Sequence, residues 1–126
     1  MNMMNTLVQT AYARTDAPAR SPRDVEYDLF ARMTRRLSIA WSQRAGNYSA
    51  LVEALHDNAA MWRTLAVDVA DVGNSLPSPL RAQLFYLHEF TATHSQKVLD
   101  GTANAEVLIE INTAVMRGLR GNGGAA

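Results

Sequence analysis

The stretch from Asn58 to Leu87 constrains the fold most, because its pattern predicts a helix, a rigid corner and a second helix. Apolar residues recur at three- and four-residue spacing on both sides of the corner, which places them on one face of each helix. Gly73 is expected to end the first helix in the left-handed conformation. Ser78 followed by Pro79 predicts the next helix start, with serine as the N-cap and proline at the first helical position.

The same periodicity predicts an all-α fold, an antiparallel bundle of four main helices joined by short connections. No alternating strand pattern longer than a few residues is present. Start and stop signals predict helices from Ser21-Pro22 to about Arg44, from Asn47 or Ser49 to about Val72, from Ser78 to Asp100-Gly101, and from Thr102 or Asn104 to Gly121. Glu106 then falls in the first turn of the last helix, where an acid suits the helix dipole.

Residues 21–121 are therefore predicted to form the bundle domain, flanked by two other segments. Residues 1–20 form an N-terminal segment in which apolar residues fit one face of a short docking helix: Met3, Met4, Leu7, Val8, Ala11 and Tyr12. A frayed end is the alternative, and a third is an arm that covers a groove until a partner arrives. The glycine-rich residues 122–126 are predicted to be a disordered tail.

Composition bounds the function. The length of 126 residues suggests one domain, since domains most often hold about 100–150 residues. Twelve lysines and arginines balance twelve aspartates and glutamates, which argues against a strongly electrostatic partner such as bulk nucleic acid. The absence of cysteine excludes a disulfide scaffold. No secretory signal and no membrane span are recognisable, so we expect a soluble cytoplasmic protein.

Four polar residues fall on helix faces that should be inside: Asn58, Thr91, His94 and Asn112. A buried amide or imidazole without a partner costs about 1–3 kcal/mol, so they are expected to pair with each other, with backbone or with water. Two interpretations stay open. They form a core network that fixes helix register, or they line a groove that a partner completes.

Residues with the spacing of a catalytic or metal site are not apparent. His88-Glu89 lacks the second histidine of a metalloprotease helix, because position 92 is alanine. Asp68 and Asp71 share a helix face and are interpreted as solvated carboxylates near a helix end. No nucleophile elbow or phosphate-binding loop appears. The sequence therefore predicts no catalytic, cofactor-binding or metal-binding residues, and a protein that is not an enzyme.

Trp62 on the main stripe and apolar residues beside the stripes form the candidate partner-binding set: Met61, Trp62, Phe85, Tyr86 and Phe90. A groove lined by methionine and aromatic residues suits the capture of an amphipathic helix. The alternative for Tyr86 and Phe90 is contact with the N-terminal segment.

Several motifs resemble one family over nearly the whole chain. They begin with Tyr12-Ala13-Arg14 and Ser21–Glu26, and continue in the centre with Asn58, Trp62, Asp68, Asn74-Ser75-Leu76-Pro77 and Leu80-Arg81, then with Leu108–Asn112 and Met116–Leu119. Together these motifs resemble FlaF, the small flagellar biosynthesis regulator of alphaproteobacteria. The positions interpreted as a structural motif are Asn58, Asp68, Asn74, Leu76, Pro77, Arg81, His94, Asn112, Met116 and Gly118.

The resemblance implies a flagellin-binding, chaperone-like regulator that holds flagellin monomers and supports their synthesis and export. FlaF-like proteins act alongside FlbT, which restrains flagellin synthesis at the messenger. The alternative is a post-transcriptional regulator acting through FlbT or flagellin mRNA, for which the basic patch of Arg32, Arg35 and Arg36 is the support. A third class, a purely structural oligomerisation module, predicts dimers without any partner.

Overall fold

The structure, a computed structural model, describes residues 22–125, and the side-chain surroundings of residues 26–118. This range contains four helices and no strand: α1 (Pro22–Ser42), α2 (Tyr48–Ala70), α3 (Ser78–Leu99) and α4 (Glu106–Ala125). The predicted all-α, four-helix fold is confirmed. The N-terminal segment 1–20 and the predicted cap Ser21 lie outside the described residues.

The helices pack in a ring that follows chain order. α2 contacts α1 on one side and α3 on the other, α4 packs against α1, and α4 makes a smaller contact with α3 that closes the ring. α1 and α3 are therefore diagonal to each other, as are α2 and α4. Because short connections join successive helices, neighbours run antiparallel. The side between α3 and α4 is the least tightly closed.

The connection between α1 and α2 follows its sequence signals closely. α1 begins at Pro22, as predicted, and ends at Ser42, two residues before the predicted Arg44. Asn47 is the N-cap of α2, because its side-chain oxygen accepts a hydrogen bond from the Ala50 amide at 3.2 Å. Such a bond satisfies one of the amides left free at a helix start.

Two predictions at the α2–α3 corner are wrong. Among the described glycines only Gly101 has a positive φ, so Gly73 does not end α2 in the left-handed conformation. Asp71 takes an extended conformation instead, and its carboxylate accepts a hydrogen bond from the Gly73 amide at 3.1 Å. Pro77, and not Ser78, occupies the N-cap of α3 without a side-chain bond. A proline in the first turn has no backbone N–H, so the helix start has one fewer free N–H group that a serine cap could bind.

The connection between α3 and α4 is built on Gly101, whose φ of 80° requires glycine more than any other residue. The amide of Thr102 donates to the Lys97 carbonyl at 2.9 Å, and that of Gly101 to Val98 at 3.1 Å, which is the Schellman pattern of a helix end. The Asn104 side-chain oxygen accepts a hydrogen bond at 2.9 Å from the amide of Glu106, the first residue of α4, while Ala105 is the residue directly before the helix.

α4 is longer than predicted. It continues past Gly121 through residues 122–125, which the sequence assigned to a disordered tail, while residue 126 lies outside the described range. Glycine lowers helix propensity, but it keeps its backbone donor and does not block the helix as proline does. A glycine in this position is therefore a weak stop signal.

The core consists of two apolar clusters along the bundle. One contains Leu37, Leu51, Leu55, Val98 and Leu108, and so draws on all four helices. The other is built around Trp62, which is fully buried and meets the Phe30 ring edge-on at a centroid distance of 5.7 Å. Met61, Leu65 and Val69 complete it.

A polar network of Asn58, Trp62 and Asn112 crosses the bundle. The Asn112 side-chain amide donates to the Asn58 oxygen at 2.7 Å, and the Trp62 indole N–H donates to the Asn112 oxygen at 2.9 Å. All three side chains have no exposed surface. Because α2 and α4 are diagonal, these bonds join helices whose backbones are not in contact. Asn58 and Asn112 thus take part in a core network, which is one of the two interpretations that the sequence leaves open. The Asn58 Nδ2 and Thr91 Oγ1 atoms are also buried and have no hydrogen-bond partner among the described residues.

We expect Asn112→Ala to lower the free energy of unfolding by about 3 kcal/mol, because it leaves the buried Trp62 indole N–H and the buried Asn58 side-chain oxygen without a hydrogen-bond partner. Urea denaturation followed by circular dichroism measures this change. Thr113→Ala is the matched control, since that hydroxyl bonds only to the Ile109 carbonyl of its own helix, and should change stability by less than about 1 kcal/mol. Equal losses in the two variants would contradict a cross-bundle role for the network.

Candidate protein-binding groove

The large apolar side chains that remain exposed in the described range are concentrated on α2 and α3. One of them, Ile39, lies on α1, and the others are Tyr48, Val52, Val67, Val72, Phe85, Tyr86 and Phe90. Of these residues, Val67 and Phe85 line one cavity together, and a connected patch marks an interaction surface more strongly than scattered residues do.

The predicted partner-binding residues divide into two groups by burial. Met61 and Trp62 are only 6% and 0% exposed, so both belong to the core and cannot face a partner. Phe85, Tyr86 and Phe90 are 40%, 63% and 37% exposed. The periodicity places Trp62 on the inward face of α2 and Met61 at the border of that face, where burial depends on how closely the neighbouring helices approach.

The three exposed aromatics lie on opposite edges of α3. Phe85 faces α2, where it lines a cavity together with Val67. Phe90 stacks on His94 at 5.5 Å, and the His94 Nε2 lies 2.9 Å from the Asn104 carbonyl oxygen in the connection to α4. Tyr86 is four residues before Phe90 and shares its edge. Phe85 and the Tyr86–Phe90 pair therefore belong to two different surfaces.

An open groove follows the seam between α2 and α3, and we call it the α2–α3 groove. Its wider part has a volume of about 630 Å³ and is lined by Arg63, Ala66, Val67, Ala70, Asp71, Phe85 and His88. A narrower part of about 290 Å³ shares Ala70 and Phe85 and continues along Val69, Ser78, Arg81 and Ala82. Its surface is mostly apolar.

The charged groups at the corner end of the groove are bound by the protein itself. The Arg81 guanidinium donates from Nε to the Val69 carbonyl at 2.8 Å and from Nη2 to the Asp71 carbonyl at 3.2 Å. Arginine suits this role because its planar fork can serve two acceptors, and a cation is favourable at a helix C-terminus. The Asp71 carboxylate is held by the Gly73 amide.

Two polar groups along the wider part have no such partner. The exposed Arg63 side chain makes no hydrogen bond or ion pair with any residue whose surroundings the structure describes. The Nδ1 atom of His88 is buried and unpaired, while the ring meets Phe85 edge-on at 5.7 Å. The wider part of the α2–α3 groove is therefore mostly apolar, with an unpaired arginine side chain at its edge.

Of the remaining positions of the structural motif, Asn74 holds the α2–α3 corner, and Leu76 and Met116 pack in the core. The Asn74 amide donates to the Asp68 carbonyl at 3.1 Å and its oxygen accepts from the Leu76 amide at 2.9 Å, which ties the corner to α2. Leu76 and Met116 pack against the Trp62 cluster. Nothing within 4 Å of Gly118 explains a glycine there.

Asp68 is buried, which corrects its interpretation as a solvated carboxylate. One carboxylate oxygen has no hydrogen-bond partner. Burial raises the pKa of Asp68 above the ordinary value of 3.8; the Asn74 side chain opposes this and the Asp71 charge adds to it. Desolvation disfavours the charged form, so ionised Asp68 destabilises the fold.

We expect Asp68→Asn to stabilise the protein relative to the native chain increasingly as the pH rises. A carboxyl whose folded-state pKa is raised binds its proton more tightly in the folded state, so stability falls as pH increases from about 3.8 through the folded pKa. Asparagine removes this fall. Thermal melting between pH 4 and pH 8 tests it, with Asp100→Asn at an exposed helix end as control; a gain that does not grow with pH would contradict it.

Within the described part of the chain, no group of three or more histidine, cysteine, aspartate or glutamate side chains is arranged to hold a metal ion. No helix in that part combines the length and apolar character needed to cross a membrane.

Sequence reasoning missed most of the α2–α3 groove. Arg63, Val67 and Ala70 were not candidates, because each is an ordinary outward position on a helical wheel. Val67 did carry a signal, since a β-branched apolar residue on an exposed helix face has no local reason to be there. The pairing of its face with Phe85 depends on the packing of α2 against α3.

Fold and site together define a small helical-bundle protein with an apolar groove between two helices of its described part. The chain belongs to the FlaF family: the family model described as Flagellar protein FlaF matches residues 8–119. It is thus a flagellar protein, and the family resemblance seen in the motifs is confirmed. No curated protein and no solved structure matched the chain.

Proposed function

We propose that this protein is a flagellin-binding, chaperone-like regulator that holds flagellin monomers in the cytoplasm and supports their synthesis and export. Membership of a flagellar family supports the process. The observation that carries the proposal is the open apolar trough between α2 and α3, which is the shape that an amphipathic helix occupies in helix-in-groove recognition.

The physical logic rests on the assembly of flagellin. Its terminal segments are amphipathic helices that polymerise when they pair with those of other subunits. A bundle that covers the apolar face of one terminus keeps the monomer from assembling until export. Because the monomer must be released, the interface should be of moderate size, with an apolar centre and a polar rim.

Action on FlbT or flagellin mRNA is the second candidate, and the structure gives it less support. Within the basic patch, Arg36 is paired with Asp57 at 2.8 Å, which leaves Arg32 and Arg35 as the exposed arginines without an ion-pair partner among the described residues. The chain as a whole has a net charge of +0. Two exposed arginines on a neutral protein are a small electrostatic footprint for nucleic acid.

We expect the protein to copurify with full-length flagellin when the two are co-expressed, because the complex protects an apolar helix face. Flagellin that lacks both terminal segments is the control and should not be retained. Deleting one terminus at a time identifies the bound segment. Failure to retain any flagellin, together with retention of FlbT or of RNA whose binding weakens steeply with salt, would favour the second candidate.

A further inference from the structure

The geometry points to the α2–α3 groove, and not the Tyr86–Phe90 edge of α3, as the seat of the partner. The occupant it fits is a single amphipathic helix that carries an acidic side chain beside its apolar stripe. This inference rests on the proposed function for the identity of the partner, which is a terminal segment of flagellin.

The dimensions of the groove match a short length of helix. Its α2 wall extends from Arg63 to Ala70 and its α3 wall from Ser78 to His88. At 1.5 Å per residue these walls are about 10 and 15 Å long, which corresponds to two or three helical turns. A helix lying along the seam therefore presents apolar residues from successive turns, at i, i+3 or i+4, and i+7.

The lining has a buried floor and exposed apolar walls. Ala66 and Val69 are almost fully buried at the seam, whereas Val67 is 50% and Phe85 is 40% exposed on either side. Ala70 and Ala82 are exposed as well, and their small side chains leave room for a helix to approach closely. Covering these walls removes apolar surface from water, which favours association.

Charge selects the occupant. Arg63 is unpaired within the described residues, whereas the Asp71 carboxylate is held by Gly73 and the Arg81 guanidinium is held by backbone carbonyls. The free cation on the rim attracts an acidic side chain next to the apolar stripe of the partner.

The decisive comparison uses two neighbouring aromatics. Phe85→Ser removes a wall of the groove, and Tyr86→Ser removes a more exposed ring from the opposite edge of the same helix. In titration calorimetry with monomeric flagellin, we expect Phe85→Ser to weaken binding by about tenfold or more, as for a central interface aromatic. Tyr86→Ser should change affinity by less than about twofold. Circular dichroism and thermal melting establish that each variant is folded.

Two further variants test the groove without relying on Phe85. Val67→Glu places a charge at a half-exposed position, so it leaves the core intact and should weaken binding by about tenfold. Arg63→Glu should weaken binding and reduce its dependence on salt, whereas Arg32→Glu, on the outer face of α1, should do neither. Changing acidic residues of the bound flagellin segment to arginine, one at a time, should restore binding to Arg63→Glu at one position.

The outcomes separate the site from the function. If the native protein retains flagellin, but the Phe85, Val67 and Arg63 variants all bind it normally, the groove assignment is wrong and the proposed function stands. If Tyr86→Ser alone abolishes binding, the site is the opposite edge. If the groove variants convert a dimer to a monomer in sedimentation while flagellin binding persists, a second copy of this chain occupies the groove. If no flagellin binds to the native protein, the proposed function fails first.

Discussion

The hydrogen bonds from Trp62 to Asn112 and from Asn112 to Asn58 hold together two helices whose backbones do not touch. Apolar packing alone tolerates sliding of one helix along another, because many arrangements bury similar areas. A buried, hydrogen-bonded amide tolerates little of this sliding, since a shift of a few ångströms leaves donors and acceptors unpaired. The network therefore fixes the height of α4 relative to α2, and α1 must fit the space that those two helices leave.

The position of α2 in turn defines the groove, because α2 supplies one wall and the corner supplies its end. Arg81 reaches back from α3 to the last carbonyls of α2, and Asn74 binds both the end of α2 and the loop that follows. These contacts hold the start of α3 against the end of α2. The separation of Val67 and Phe85, which sets the width of the groove, is thus determined by hydrogen bonds at the corner as well as by packing.

Much of the fold could be predicted from the sequence, because helix spacing and caps are local signals. Asn47 caps α2 as expected, the Asn104 side chain binds the first amide of α4, and Asn58 pairs with Asn112. The site could not be predicted in the same way. Phe85 and Tyr86 are adjacent in sequence, but about 100° apart around the helix. Which of them meets α2 depends on the rotation of α3 in the bundle.

The errors have the same origin. The position of Asp68 near a helix end predicts a solvated carboxylate, yet helix packing buries it. Gly73 offers a left-handed turn, but the Asp71 carboxylate stabilises a different one. In both cases the local sequence allows more than one conformation or environment, and tertiary packing decides which one the residue adopts.

A groove fixed by the fold has a consequence for the strength and reversibility of the proposed interaction. Side chains on rigid helices lose little conformational freedom when a partner docks. The entropy cost of binding is therefore smaller, and more of the contact energy contributes to affinity. The same groove is only two or three turns long and contains one free cation among its described lining residues. The small contact area limits the affinity. The preformed walls and the single charge fix the position and the orientation of the partner helix along the groove. These properties suit a protein that must hold an aggregation-prone helix selectively and still release it.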